Sequence, residues 1–198
     1  MVWETLPAIY VENGVDCPTE ASWPFLPHWA RGQLPRNKHG KLLSTANARL
    51  RRQGQPFAPS YMGAWSNDFR VLIPVSWFYE FDSRVRPQIP YAVFPLHAPF
   101  WMLCGLASRF TSADGVQRIS VSIITVEPND ILKSVGHHRS PAIIRNPAEA
   151  ENWLRAPKQE ALTLLRSFPD ESMGVEQVPM GVKIPGNQNI QLPERLYQ

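Results

Sequence analysis

Short apolar runs, many of them interrupted by proline, are the main repeating pattern of this sequence. Alternation of apolar and polar positions over about four to eight residues is typical of half-buried strands, and proline limits how far a strand can extend. The clearest run, 117–126, is rich in β-branched residues and alternates Ser120 and Ser122 with Val121 and Ile123. Strands are predicted at 6–12, 69–74, 76–81, 90–95, 101–110, 117–126 and 142–144, with a short strand and turn at 23–29.

Helix signals lie between and after these strands. Pro128 starts a short helix that ends near Val135, with Gly136 as its stop, and an Asn-Pro pair at 146–147 caps a longer one. Helices are predicted at 59–65, 128–135, 147–155 and 158–167, followed by a last strand at 174–184 and a polar tail at 186–189. Many short strands with peripheral helices favour a single α+β domain over residues 1–198, built on a curved, mostly antiparallel sheet or pseudo-barrel.

The composition is that of a globular protein. A hydrophobic content of 43% and a charged content of 19% exclude a disordered chain. The longest nearly apolar run, 71–79, is far shorter than the ~20 residues of a membrane span, and the N-terminus has no apolar core typical of a signal peptide. Cys17 and Cys104 form neither a disulfide framework nor a metal-binding pair. We therefore expect a cytoplasmic protein that has no membrane partner.

The charge distribution is uneven. Residues 21–67 contain no Asp or Glu. The basic residues of this segment are Arg31, Arg36, Lys38, Lys41, Arg49, Arg51 and Arg52, and its large aromatic residues are Trp23, Phe25, Trp29, Phe57, Tyr61 and Trp65. Cations interleaved with rings are typical of grooves that bind single-stranded nucleic acid. The alternative is a solvated basic loop over an aromatic core.

Common catalytic motifs do not occur in this chain: there is no phosphate loop, no dinucleotide-binding glycine pattern and no zinc-ligand spacing. Three local segments nevertheless contain chemically capable residues. Asn47 and Arg49 lie among small residues, where an amide and a guanidinium could grip a phosphate, although a structural turn is the alternative.

The second segment places Glu80 inside an aromatic strand. Burial would raise the pKa of this carboxyl and suit it to proton transfer. Alternation along the strand could instead turn it outward, although Phe78 should share its face.

The third segment contains His137, His138 and Arg139. A histidine here could shuttle protons and the arginine could hold an anion, while the alternative is a surface histidine pair. No third ligand stands at a recognisable spacing, so neither a metal nor a cofactor is expected.

Taken in order, these segments resemble the SOS-response-associated peptidase (SRAP) family over nearly the whole chain. Residues 23–30 are similar to its Trp-Gly-Leu-Ile-Pro-x-Trp segment, and 47–49 match its Asn-Ala-Arg motif. Residues 70–74 with 78–81 resemble its Arg-Cys-Leu-Val-Pro and Phe-Tyr-Glu-Trp motifs. Gly105 and Leu106 resemble a Gly-Leu-Trp strand, and 124–141 resemble a Thr-Thr to His-Asp-Arg-Met-Pro block.

The resemblance implies an SRAP-like fold and a protein that binds single-stranded DNA at abasic sites, as a monomer. It implies a catalytic trio of Asn47, Glu80 and His137. It also implies nucleic-acid-binding roles for Trp23, Arg49, Thr125 and Arg139.

The family begins Met-Cys-Gly-Arg, and its N-terminal cysteine captures the aldehyde of an abasic site as a thiazolidine. Residue 2 here is Val, and Cys17 cannot substitute because the ring requires the amine and the thiol on one residue. His138 and Ser140 also replace the family's usual Asp and Met. The resemblance therefore leaves three alternatives. They are DNA binding without thiol capture, residual Schiff-base lyase or self-cleaving peptidase chemistry, and a non-catalytic interaction domain.

Overall fold

The computed structural model describes residues 4–30 and 32–183. Residue 2, Arg31 and the predicted polar tail at 186–189 lie outside these ranges. The strands are β1 (Glu4–Glu12), β2 (Val15–Trp23), β3 (Asn47–Arg49), β4 (Arg70–Val75), β5 (Phe78–Asp82), β6 (Ile89–Pro95), β7 (Trp101–Thr111), β8 (Gln117–Val126), β9 (Ser140–Pro141), β10 (Ile143–Ile144) and β11 (Met173–Gln177). The α-helices are α1 (Pro59–Ser66), α2 (Asp130–Ser134), α3 (Pro147–Arg155) and α4 (Lys158–Thr163), and 3₁₀ turns lie at His28–Ala30, Asp170–Ser172 and Met180–Lys183.

The chain divides into two compact units, and each unit is assembled from separate segments. The first unit contains the chain up to Pro74, then Met102–Val126 and Pro141–Arg166. The second contains Val75–Trp101, Glu127–Ser140 and the chain from Ser167 onward.

A closed five-stranded barrel forms the centre of the first unit. Strand order runs β7-β4-β1-β2-β8, and β8 pairs back with β7, which closes the ring. β1 and β2 form a hairpin whose turn residues, Asn13 and Gly14, both have positive φ angles, as a two-residue hairpin turn requires. β3 pairs parallel to β8, and β10 pairs antiparallel to β7.

The core of this unit is rich in aromatic rings. Phe57 and Trp153 lie on either side of Trp65, with ring centroids 5.3 Å and 6.4 Å from it. The buried indole of Trp153 donates to the carbonyl of Val71 at 2.9 Å, which satisfies its polar atom. At Gly105, a Cβ would lie 2.8 Å from Val71 and 2.9 Å from the carbonyl of Ser122, so only glycine allows β7 to approach its neighbours here.

The second unit is built on a three-stranded antiparallel sheet with the order β11-β6-β5. Ala92, Phe94 and Val178 form its small buried cluster, against which Trp77 and Tyr79 pack. At Gly174 a Cβ would lie 2.6 Å from the ring of Phe94, so the sheet face requires glycine at this position.

The mixed α+β class and the curved, mostly antiparallel sheet are confirmed. Most predicted strands lie within a few residues of the observed ones, and the helix at 147–155 has the bounds expected. The strand predicted at 23–29 is wrong, because β2 ends at Trp23 and a 3₁₀ turn begins at His28. The last predicted strand and the helix at 158–167 are both shorter than expected.

Candidate active site and nucleic-acid interface

Glu80 lies on the face of β5 that also carries Phe78 and Asp82, since alternate residues of a strand share a face. The ring of Phe78 packs 6.0 Å from that of Trp101, so this face meets other residues of the second unit. The Glu80 side chain is 16% exposed. Of the two orientations left open by the sequence, the structure therefore shows the half-buried one.

His137 follows a helix end that is built to turn the chain sharply. Asn129 caps α2 by accepting from the backbone N–H of Leu132 at 3.1 Å. After α2, Gly136 has a φ of 74°, and the N–H of His137 donates to the carbonyl of Leu132 at 3.0 Å. This left-handed glycine stop fixes the direction in which His137 leaves the helix.

The imidazole of His137 is held at both nitrogens. Nε2 lies 2.7 Å from Oε2 of Glu80, and Nδ1 lies 2.8 Å from the carbonyl oxygen of Arg139. Because a carbonyl only accepts, Nδ1 is the donor in that bond, which leaves Nε2 to exchange a proton with Glu80. This arrangement is a carboxylate–imidazole pair that can move a proton at Nε2.

The pKa of His137 lies above its ordinary value of 6.5. The hydrogen bond that the protonated ring donates to Glu80 is the largest cause of the raised pKa, and burial of the ring lowers it. The negative charge of Glu80 and the bond to the Arg139 carbonyl also raise the pKa. The imidazolium form is therefore stabilised near neutral pH, as a proton donor requires.

Arg139 and His138 complete the loop. The Arg139 guanidinium is 16% exposed and lies 3.3 Å from the carboxylate of Glu127. The rings of His137 and His138 stack with centroids 5.5 Å apart. This part of the second unit thus combines two acids, two imidazoles and a guanidinium.

In the first unit, Asn47 and Arg49 stand on β3 with both side chains exposed, and Ala48 between them is fully buried. The carbonyl preceding β3, that of Ala46, accepts from the Trp23 indole at 3.0 Å and from the Ser122 hydroxyl at 3.1 Å. Three short hydrogen bonds, counting that from the N–H of Ile123, fix the start of the strand. Residues 47–49 form a strand and not the alternative structural turn, and this strand has Asn47 and Arg49 exposed.

Trp23 and Thr125 lie beside this strand. Trp23 is half-buried, and its ring nitrogen is used by the bond to Ala46. Thr125 pairs with Arg49 in the parallel β3–β8 register and is 6% exposed. Trp23, Asn47, Arg49 and Thr125 therefore belong to one local cluster around β3, which we call the β3 cluster.

Most aromatic residues of the acid-free segment are core residues. Phe25, Phe57, Tyr61 and Trp65 are each at most 5% exposed, whereas Trp29 is 52% exposed. The cations Arg36, Lys38, Lys41, Arg49, Arg51 and Arg52 are all exposed. Both interpretations of the segment therefore hold in part: an aromatic core lies beneath, and a basic surface with few available rings lies above.

The structure brings Glu80, His137 and Arg139 together in the second unit, and Trp23, Asn47, Arg49 and Thr125 together in the first. The convergence of Asn47 with Glu80 and His137 stays a prediction. Two residues that the sequence analysis missed, Asp82 and Arg84, lie against Gly136, the residue before His137. Their signal was the acid two positions after Glu80, on the same strand face.

Other potential functional groups are less exposed. Burial raises the pKa of the Cys104 thiol well above its ordinary value, and Cys17 is half-buried. Within residues 4–30 and 32–183, no group of three His, Cys, Asp or Glu side chains is arranged to hold a metal ion.

None of the described helices combines the length and the apolarity needed to cross a membrane.

A family model described as SOS response associated peptidase (SRAP) matches residues 4–185 of the chain. The chain belongs to the SRAP family. The match includes the β3 cluster together with Glu80, His137 and Arg139, and it confirms the resemblance seen in the motifs.

Two proteins illustrate this SRAP chain's place in the family. It is 27% identical over 177 residues to the abasic site processing protein YoaM of Bacillus subtilis (strain 168), a match that covers 86% of this chain and 72% of YoaM. It is 26% identical over 178 residues to the abasic site processing protein HMCES of Gallus gallus. That match covers 79% of this chain and 51% of HMCES, so the chain spans about half the length of HMCES.

The SRAP fold assignment also agrees with a solved structure. A crystal structure of a protein from Bacteroides thetaiotaomicron superposes with a TM-score of 0.70 at 22% identity and covers 90% of this chain and 75% of that one. This similarity supports the fold.

Proposed function

We propose that this protein binds single-stranded DNA and processes abasic sites in it. The Glu80–His137 pair carries the proposal, because a 2.7 Å carboxylate–imidazole contact is suited to the proton transfers that aldehyde chemistry requires. The names of the two relatives, both abasic site processing proteins, point to the same class of substrate.

The basic surface of the first unit supports a phosphate-bearing partner. Arg36 and Leu42 bridge a short hairpin, and the side chain of Asn37 accepts from the N–H groups of His39 and Lys41 at 2.9 Å and 3.0 Å. Lys38, His39 and Lys41 are thereby displayed on an ordered, exposed tip. Arg49 and Arg51 are also exposed in this segment, which contains no Asp or Glu, and a series of exposed cations favours an extended anionic chain.

Single-stranded DNA suits this surface because its bases are free to stack. The exposed indole of Trp29 and the half-buried ring of Trp23 lie in the same acid-free segment as these cations. Stacking on rings tolerates any base, whereas cations track the backbone, so the two together favour binding with little sequence preference.

The proposed chemistry acts on the ring-opened aldehyde of an abasic site. An amine adds to the aldehyde carbon to give a carbinolamine, and loss of water from it gives an imine. In this step the imidazolium of His137 donates the proton that allows hydroxide to leave as water. This donation leaves a neutral imidazole and an iminium ion, whose N–H proton passes to the carboxylate of Glu80 to give the imine. Transfer of that proton from Glu80 to Nε2 restores the imidazolium of His137.

Two measurements test the proposal. Fluorescence anisotropy with a labelled single strand is expected to show binding that weakens as salt rises, and absence of binding at low salt would end the DNA hypothesis. Borohydride reduction with an abasic oligonucleotide is expected to trap a covalent adduct, and peptide mapping of that adduct identifies the amine.

The same two measurements distinguish the proposed function from the alternative of a non-catalytic interaction domain. That alternative requires binding of the single strand with no trapped adduct in the native protein. It also requires unchanged affinity in the Glu80→Ala and His137→Ala variants. Trapping that depends on His137 contradicts it.

A further inference from the structure

The turn before His137 is held by an ion pair on the neighbouring strand. Asp82 is 5% exposed, and its carboxylate accepts from Nε of Arg84 at 2.9 Å and from Nη2 at 2.7 Å. The same Asp82 accepts from the backbone N–H of Arg84 at 2.9 Å. These bonds hold the pKa of Asp82 below its ordinary value, with the Arg84 side chain as the largest cause.

Arg84 also reaches the last turn of α2. Its Nη2 donates to the carbonyl of Ser134 at 2.9 Å, where a helix leaves carbonyls without an intrahelical partner. A cation at this end also suits the helix dipole. One guanidinium therefore joins the end of β5 to the end of α2.

Gly136 fits directly against this ion pair. A Cβ at Gly136 would overlap Oδ1 of Asp82 and would lie 2.7 Å from Nε of Arg84. The left-handed φ of 74° independently requires glycine at this position. The residue before His137 thus has its backbone pressed against the Asp82–Arg84 pair.

We propose that Asp82 and Arg84 are positioning residues that hold the imidazole of His137 against Glu80. Glu80 and Asp82 stand two positions apart on one face of β5, so one strand contacts both the side chain of His137 and the turn that carries it. The catalytic meaning of this inference rests on the proposed function. The placement of the imidazole can be measured without DNA.

The charged and titratable groups recorded around the imidazole are Glu80, His138 and, across the turn, Asp82 with Arg84. A test must therefore change the geometry and keep the charges. Arg84→Lys does so, because lysine keeps the positive charge but lacks the planar fork that bonds both carboxylate oxygens and the Ser134 carbonyl. Arg86→Lys is the matched control, since the bonds of the Arg86 side chain to the described residues go to the carbonyls of Ser83 and Val85 in its own loop.

Imidazole NMR of the full chain without DNA reads both the pKa of His137 and its neutral tautomer. Arg84→Lys is expected to move this pKa toward 6.5 by roughly half a unit, about a threefold change in proton affinity. It is also expected to lower the population of the Nδ1–H tautomer, because the hydrogen bond from Nδ1 to the Arg139 carbonyl is made less often. Arg86→Lys is expected to leave both signals in place.

A purely structural role for the ion pair predicts a different result: Arg84→Lys would lower the melting temperature and leave the pKa and tautomer of His137 as in the native protein. That outcome overturns the inference. Gly136→Ala gives a second check, since its methyl group must displace the pair. It should shift the His137 signals in the same direction as Arg84→Lys and further.

The activity measurement then links the two proposals. Arg84→Lys is expected to slow borohydride-trapped adduct formation about tenfold, as a small misplacement of a proton donor would, with unchanged affinity for the single strand. If the native protein forms no adduct, the proposed function fails while the NMR comparison still decides the positioning role. A shifted His137 pKa with a native adduct rate would show that the positioning has no catalytic meaning, and would overturn that part.

Discussion

Two charged regions of this protein, one in each unit, organise charge in opposite ways. On the first unit, Lys38, Lys41, Arg49 and Arg51 are exposed, and within the described part of the chain none of them forms an ion pair. On the second unit, the charged groups around His137 are paired, from Glu80 with His137 to Asp82 with Arg84.

The difference fits the proposed roles of the two regions, because binding an anion and transferring a proton place different demands on a fold. Exposed ion pairs contribute little to stability, so the cations of the first unit remain available to an outside anion at little cost. Proton transfer instead requires fixed geometry, and in the second unit both ring nitrogens of His137 and the Ser134 carbonyl at the end of α2 have partners.

The largest expected effect separates chemistry from binding. Glu80→Gln keeps the shape of the carboxyl side chain, His137→Gln keeps a polar amide in place of the ring, and each removes a group that transfers protons. Each is expected to lower the rate of borohydride-trapped adduct formation by about 10²–10³-fold, the usual range for a general acid or base. The dissociation constant for single-stranded DNA, measured by anisotropy, should change less than about twofold, because neither residue belongs to the basic surface. A parallel loss of affinity and rate would refute the division of labour between the units.

The next effect concerns the basic surface. Arg49→Ala is expected to lower the slope of log affinity against log salt by about 0.7, the value for one lost contact to a single-strand phosphate, and to weaken binding several-fold. Lys38→Ala should act similarly. Arg118→Ala is the control on the same unit, because Arg118 is already paired with Asp114 at 2.7 Å. An equal change in all three variants would point to bulk charge in place of a defined contact surface.

One helix cap in each unit allows a comparison of how much polar contacts contribute to the free energy of unfolding. Asn129 is 6% exposed, and its side chain both caps α2 and donates to the carbonyl of Phe168 at 3.1 Å. Asn146 caps α3 at the surface, where its side chain accepts from the N–H of Glu149 as its one bond among the described contacts. Asn129→Ala is expected to cost about 2 kcal/mol in urea unfolding, since it also leaves a buried carbonyl without its donor. Asn146→Ala is expected to cost about 0.5–1 kcal/mol. Equal losses would contradict the idea that the second unit depends more strongly on its polar contacts.

The smallest effect is a pH dependence. Because the folded pKa of His137 is raised, its pairing with Glu80 contributes stability that is fully present below pH 6.5 and is lost as the pH rises through the folded pKa. The native protein should therefore melt at a higher temperature than His137→Gln at pH 6, and this difference in melting temperature should become smaller by about 2 °C at pH 9. A difference that widens over this range would have the wrong sign for a raised pKa.

Alternation and turn residues were enough to predict most strands, because a strand's apolar face and the glycine or proline that ends it depend on neighbouring residues in the sequence. β2 was missed because its outward positions carry Asp16, Pro18 and Glu20, so its apolar signal is weak and its pairing with β1 depends on the Asn13-Gly14 turn. The pattern also could not tell which aromatic residues of the basic segment face the core, since rings suit both a core and a stacking surface.

The candidate site was predictable in its residue types and not in its contacts. Motif order indicated Glu80 and His137, but a strand pattern says only which face a side chain shares, not what covers that face. The contact between Glu80 and His137 depends on the turn at Gly136 and on Arg84, which follows β5 and bonds the Ser134 carbonyl at the end of α2. Both features arise from packing between segments that are distant in the sequence.

The division of each unit into separate segments has a consequence for biosynthesis. The barrel needs β8, and the Ser120 hydroxyl that accepts from the N–H of Leu26 at 2.8 Å, before its earliest strands can be enclosed. During synthesis the β1–β2 hairpin therefore remains without its partner strand β8 until much later residues have left the ribosome. Such long-range closure is slow, and it leaves apolar surface exposed in the meantime. Slowed translation should prolong dependence on chaperones, and neither unit can be expressed as one uninterrupted piece of the gene.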